Sequence, residues 1–314
     1  MALLLSALSL VKPSSRRLGW AACVLLASAA IHVLALLASG GEWGGAVSLR
    51  KPITFGVSVG LLLWTCGWIM DRLPSRRNLE AILANVLVGS GLVEVGLITS
   101  QAWRGVASHF NFTTATDSAI FGAMGAAIGL FSLALLALAI WAVLQRPADR
   151  TTRLAILAGM GLVITGLGFG QWVIGLGVEM AEQLGHAPDT VLAGAAGVAK
   201  FPHAMALHGV QVFIGASVLA GSGRLGARSQ LIAVRLTVSG YMALVAWSII
   251  HTNAGRAPFD LTGMENALGL GGLILLGTSA VLIARGLIAR GLTAAGHRPA
   301  PRDLAAGPVV TLPS

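Results

Sequence analysis

Eight long apolar stretches separated by short polar connections constrain this chain more than any other feature. They run from Leu18 to Ser39, Ile53 to Met70, Leu79 to Gln101, Ser118 to Leu144, Leu154 to Gly177, Pro202 to Gly221, Leu231 to His251 and Asn266 to Ala284. A bilayer core about 30 Å thick is crossed by about 20 helical residues rising 1.5 Å each, so each stretch matches one crossing. Inside hydrocarbon every backbone N–H and C=O needs a partner, which leaves only helices or a closed barrel. A barrel requires segments of about ten residues with alternating hydrophobicity, and none are present. The expected fold is all-α, a polytopic transmembrane bundle of about eight spans. Only 11% of the residues are charged, against about 25% in a soluble domain, so water is not the main solvent.

The opening run Met1 to Val11 is apolar, but Lys12, Arg16 and Arg17 follow it, whereas a secretory signal peptide carries its positive residues in front. Residues 1–17 read as an interfacial cytoplasmic segment, 18–284 as the eight-helix domain, and 285–314 as a disordered cytoplasmic tail. Cys23 and Cys66 both fall inside apolar stretches, so no disulfide framework or Cys-rich zinc site is available. The formal charge of +9 is not a nucleic-acid signal, because no basic run interleaves with aromatics.

Topology accounts for the charge. With a cytoplasmic N-terminus, 16 of the 21 Lys and Arg fall on the inner side, Arg146, Arg298 and Arg302 among them. Arg50, Lys51, Arg104, Lys200 and Arg256 are the outer exceptions. The positive-inside bias therefore places both termini in the cytoplasm of a cell whose cytoplasmic membrane holds the chain. Six of the seven histidines lie at or near the outer side, the exception being His297.

The chain shows signs of duplication. Phe110-Asn-Phe-Thr-Thr-Ala-Thr-Asp-Ser leads into the fourth span, and Phe259-Asp-Leu-Thr-Gly-Met-Glu-Asn-Ala leads into the eighth at an offset of 149. Lys51-Pro52 opens the second span as Lys200-Phe-Pro202 opens the sixth. Halves at 18–150 and 151–290 would form a 4+4 parallel repeat about an axis along the membrane normal. Thr262-Gly-Met-Glu265 has the form of a capping box, in which side chains satisfy the first free helical N–H groups.

Counting residues at 1.5 Å each gives depth. His32, Glu94, Gln171 and His208 all fall about 10 Å beneath the outer surface, with Ser58 close to the same level. An ionisable group at that depth costs several kcal/mol, so it faces the bundle interior and is paired or functional. Glu94, His32 and His208 are the candidate catalytic or metal-ligating set, with packing of neutral side chains as the bland alternative. His203 and His208 are five positions apart, about 140° around a helix, so one straight helix cannot turn both toward one metal.

Above this layer lie His109, Asn111, His203, His251, Asn253 and Asp260 together with Arg50, Lys51, Arg104 and Arg256. Outer cations beside the positive ends of helices make a rim suited to a small anionic ligand. The alternative is that they contact lipid phosphates. Asn111-Phe-Thr113 matches a glycosylation sequon. Gly125 to Gly129 and Gly166 to Gly170 read as small-residue stripes for close helix packing.

Arg104-Gly-Val-Ala-Ser-His109-Phe-Asn111, with the Lys51-Pro52 and His203 to Gln211 segments, resembles a group of hydrophobic bacterial multi-pass membrane proteins. The resemblance implies a cytoplasmic-membrane location and carries no catalytic residue or substrate. Three functions stay open. In a membrane oxidoreductase or metalloenzyme, His32 and His208 would ligate haem, or with Glu94 a single transition metal. In a secondary transporter, Glu94 and the histidines would carry protons while the rim binds an anionic or amphipathic solute. A lipid-binding or assembly protein would need no chemistry. The expected partners are membrane lipids and a small molecule at the outer face, with room for an oligomer and no nucleic acid.

Overall fold

The computed structural model describes residues 8–145 and 149–296, with side chains described through Gly291. Residues 1–7, Arg146, and the tail from His297, with Arg298 and Arg302, lie outside the described residues.

Eight helices make up the bundle: α1 (Pro13–Ser39), α2 (Arg50–Asp71), α3 (Arg77–Trp103), α4 (Ala115–Gln145), α5 (Arg150–Leu184), α6 (Lys200–Ser222), α7 (Ala227–Asn253) and α8 (Asn266–Gly296). Each is long and apolar enough to cross a membrane, as the spacing of apolar stretches predicts. This is a multi-pass architecture. The helices overrun the predicted limits mostly where polar helix formers follow the apolar run. α5 continues past Gly177 through Glu179 and Glu182 to Leu184, and α8 continues past Ala284 to Gly296. The only strands among the described residues are β1 (Leu192–Ala193) and β2 (Gly197–Val198), a small antiparallel pair between α5 and α6.

Local chemistry sets several boundaries. Pro13, lacking an N–H, stands in the first turn of α1, where none is needed. Asp149 caps α5 by accepting the Thr152 N–H at 2.6 Å. Gly40 and Gly185 close α1 and α5 in the left-handed conformation. Thr114 and Asp117 cap the start of α4 reciprocally, the box expected instead at Thr262. There the hydroxyl donates to Asp260 and Glu265 turns to Arg256 and His251, so the start of α8 carries no such box.

The neighbour pattern repeats. α1 lies along α2 and α5 along α6, α3 pairs with α4 and α7 with α8, and α2 borders α3 as α6 borders α7. Between the two groups of four, α4 meets α5 and α2 meets α6. Close approach of α1 and α2 depends on Gly56, Gly60 and Gly67, where an added Cβ would press on carbonyl oxygens of Leu25, Ala22 and Ser15. Gly125 and Gly129 face open space instead, so that predicted stripe packs against nothing among the described residues.

The arginine-rich end is tied by a buried knot. Lys12 Nζ donates to Met70 O, Leu73 O and Glu80 Oε1, the last at 2.9 Å, while Asp71 accepts from Val11 N, Lys12 N and Ser15 Oγ. At the opposite end the connections pack on one another. Ala46 N–H donates to Asp189 Oδ1, and Ala196 N–H donates to Gly255 O.

Candidate functional site

Polar side chains gather inside the bundle near the loop-rich end, where α2, α3, α6 and the α3–α4 connection converge. On α2, Lys51, Phe55 and Ser58 follow at i, i+4 and i+7, which is one face of a helix. On α3, Gly91, Glu94, Ile98 and Gln101 form the buried stripe. Gly91 is needed there because an added Cβ would meet Val59 and Phe131.

The α3–α4 connection folds inward. Phe110 adopts φ 58°, a left-handed conformation that costs a bulky residue about 1–2 kcal/mol. The turn drives the Phe110 ring against Gly177 of α5, where no Cβ fits. It also brings His109 beneath the surface, against Phe55, Phe110 and Phe121 at centroid distances of 5.3, 6.0 and 6.2 Å. Sequence counting put His109 on the rim; the structure makes it a neighbour of the membrane-embedded carboxyl.

Glu94 is 4% exposed. Its Oε1 lies 3.9 Å from His109 Nε2, and its Oε2 has no hydrogen-bond partner among the described residues. His109 Nδ1 faces Ser108 Oγ at 2.9 Å. Burial, and then the nearby charge of Lys51, push the His109 imidazole down to about 3. The ring is therefore uncharged at neutral pH, which leaves the Glu94 carboxyl as the group of this pair able to carry a proton.

Ser58 Oγ meets His208 Nε2 at 3.1 Å, joining α2 to α6. One turn further along α6, both amide atoms of Gln211 are buried with no hydrogen-bond partner of good geometry among the described residues. His203 points away from this contact, its Nδ1 2.7 Å from Gly166 O on α5, in keeping with the angular separation expected from its spacing to His208.

Other predicted residues serve elsewhere. His32 is buried, with Nε2 accepting the Trp103 indole N–H at 2.9 Å and Nδ1 2.7 Å from Ser28 O. This pattern puts the proton on Nδ1 and occupies both nitrogens. His32 thus shares no ion pair or hydrogen bond with Glu94 or His208 among the described residues. Arg104 is bound to Gln101 and to the buried Asp117, its Nη1 2.8 Å from Asp117 Oδ1. Buried Asn111 donates to Ala107 O and accepts from Thr113, so it is closed to glycosylation in this fold.

Around the α7–α8 connection a second latch forms. His251 Nδ1 lies 3.1 Å from Glu265 Oε1 and its Nε2 2.6 Å from Ala257 O. Arg256 pairs with Glu265 at 3.2 Å and Asp260 at 3.5 Å, and donates to Thr262. Hydrogen bonding, from its own backbone N–H first and then from His251, holds the Glu265 carboxyl below its ordinary range. Asn253 donates to Ile249 O of its own helix. The Arg104 and Arg256 clusters are internally satisfied and fasten connections.

At the mouth of the inner site Arg50, Lys51 and Lys200 stand within electrostatic reach of one another. Depth counting sets Ser58 at the level of His208 and Lys200 among the outer cations; Phe55 and Gln211 are the neighbours it does not bring in. The offset of 149 that relates Phe110 to Phe259 and Lys51 to Lys200 pairs Ser58 with Leu207, one position short of His208, so the repeat did not reveal the contact. Among the described residues no three His, Cys, Asp or Glu side chains converge as a metal-ligand set. Comparison with protein-family models, curated proteins and solved structures finds no match.

Proposed function

We propose that this chain is a proton-coupled secondary transporter of a small solute, with Glu94 as the proton-carrying group. The observation that carries the proposal is the Glu94–His109 pair: a buried carboxyl with one oxygen facing an uncharged imidazole and the other unpartnered. A carboxyl in such a place is neutral when protonated and charged when not, so each proton taken up or released changes the charge at a depth where charge is costly and marks a functional group. The shared neighbour pattern of the two groups of four helices supports a 4+4 parallel repeat, an architecture in which transporters bind solute at the repeat interface. A haem or metal enzyme drew on His32, but both nitrogens of that ring are engaged within the protein. The positive-inside bias supports a loop-rich end facing outward and cytoplasmic termini.

Proteoliposomes carrying an internal pH indicator test the reading. Challenged in turn with membrane-impermeant anionic, neutral and cationic solutes, wild-type vesicles should move protons with at least one of them, and Glu94→Gln vesicles with none. If no solute of any class moves protons, while purified protein shows a Soret band or stoichiometric transition metal, the redox reading replaces transport.

A further inference from the structure

A cavity of about 350 Å³ opens at the loop-rich end, between the α3–α4 connection and the end of α5. Its floor is formed by the buried Phe110 and Ala181, and its rim by Glu182, Gly185 and His186, all exposed. That volume suits a small organic molecule. The left-handed turn at Phe110 and the seat at Gly177 fix one ring in the wall, and Phe112 supplies a second. Both rings brace against Phe121, at centroid distances of 5.4 and 5.5 Å. Two aromatic rings are therefore in place before anything binds, which lowers the ordering cost of binding.

The polar side chains around the cavity all offer lone pairs. His186 Nδ1 lies 3.1 Å from Ala187 O. A carbonyl only accepts, so the proton of the neutral ring sits on Nδ1 and Nε2 is left as an acceptor. Thr113 donates its hydroxyl proton to Asn111 Oδ1 at 2.7 Å, which leaves its own oxygen able to accept. The Glu182 carboxylate has no ion pair among the described residues, and no Lys or Arg lines the cavity. A carboxylate, two further acceptors and two aromatic rings, with no side-chain donor left over, recognise a ligand that brings positive charge and N–H groups.

We infer that this cavity binds a small primary ammonium compound with an apolar body, the ammonium held by Glu182, His186 and Thr113 and the body resting against Phe110 and Phe112. The inference goes beyond the transport reading and does not depend on it, because binding is measured without transport. A phosphatidylethanolamine headgroup brings the same ammonium, but its phosphate would stand among acceptors with no lining cation to meet it, so the ligand is a free amine. The cavity adjoins the proton site: the Phe110 ring at its floor stands 6.0 Å from the His109 ring, centroid to centroid.

The test uses the full chain in detergent, with phenethylammonium chloride as probe, 2-phenylethanol as its neutral counterpart and sodium 3-phenylpropionate as its anionic one, at matched ionic strength. Phenethylammonium should raise the melting temperature of the wild type more than either counterpart does. Glu182→Gln should weaken its binding about fivefold or more, and Phe112→Leu about threefold through loss of the aromatic ring. Glu182 and Phe112 are both exposed, so neither replacement disturbs the core. Glu42→Gln, which removes another exposed carboxylate from the loop-rich end, should bind like the wild type. Stabilisation no greater than that from 2-phenylethanol, binding unchanged in Glu182→Gln, or an equal loss in Glu42→Gln overturns the inference. Tighter binding of glycerophosphoethanolamine than of phenethylammonium overturns it too, by giving the cavity to a lipid headgroup.

Discussion

Ser58 and His208 stand 150 residues apart and face each other across the bundle, Ser58 Oγ 3.1 Å from His208 Nε2. Each lies on the same helix of its group of four, α2 in one and α6 in the other. The contact joins α2, which lies along α1, to α6, which lies along α5, and so bridges the two groups of four helices.

Removing the hydroxyl should expose this contact energetically. Ser58→Ala leaves the His208 nitrogen without its partner and should cost about 1 kcal/mol. A double-mutant cycle with His208→Phe should give a coupling of about 0.5–1.5 kcal/mol, read from denaturant unfolding in detergent. Additive single effects would mean that the bond contributes nothing to holding the halves together.

His32 is expected to be structural. His32→Phe deprives the Trp103 N–H and the Ser28 carbonyl of their partner, and should lower stability by about 1–3 kcal/mol while leaving proton movement close to wild type. Trp103→Phe should produce a loss of similar size. A His32 variant with unchanged melting temperature and abolished activity would restore a functional role to the ring.

The fold was legible because span length is a property of composition: about 20 apolar residues cross a bilayer whatever their order. The site was less so. Depth follows from counting, but direction around the helix does not when the residues are apolar on every side, and His32 and Glu94 share a depth without sharing a contact. Nor does counting reveal that the backbone at Phe110 turns inward. That turn depends on Gly177 some distance along the chain, so it took His109 from the rim to Glu94. Arg104 and Arg256 illustrate a further gap. Sequence shows that a cation is present in a loop, but not that Asp117 or Glu265 has already claimed it.

Arg104 is therefore expected to act through stability. Asp117 is almost wholly buried and relies on Arg104, Gln101 and Thr114. Arg104→Gln should lower the melting temperature, because a buried carboxylate loses its only ion-pair partner among the described residues. Proton movement by the protein that remains folded should be near normal. Loss of function without loss of stability would return Arg104 to the solute site.

Orientation is open to direct chemistry. In a chain with Cys23 and Cys66 replaced by alanine, single cysteines at Ser75 and Gln183 are both exposed, at opposite ends of the bundle. A membrane-impermeant maleimide added to intact cells should label Gln183→Cys and spare Ser75→Cys until the membrane is opened. The reverse pattern would turn the bundle over and place Lys51 and Lys200 on the inner side.

The His109 ring should leave a signature in the pH dependence of stability. Burial first, and the Lys51 charge second, bring its folded value down to about 3, while an unfolded histidine titrates near 6.5. The unfolded chain therefore binds a proton between these values when the folded chain does not, and stability falls as pH drops below about 6.5. Full depression would give a slope of about 1.4 kcal/mol per pH unit, but the side chain keeps 22% exposure, so roughly half that slope is expected. His109→Gln should accordingly lose about 1 kcal/mol less than the wild type between pH 7 and pH 5, measured by denaturant unfolding in detergent. Asp260 and Glu265, held below their ordinary range by hydrogen bonds from Thr262 and from the Glu265 backbone N–H respectively, contribute their losses only under more acidic conditions. Equal slopes in wild type and His109→Gln would show that the ring takes up a proton as freely folded as unfolded. The proton of the Glu94–His109 pair would then belong to the imidazole as much as to the carboxyl.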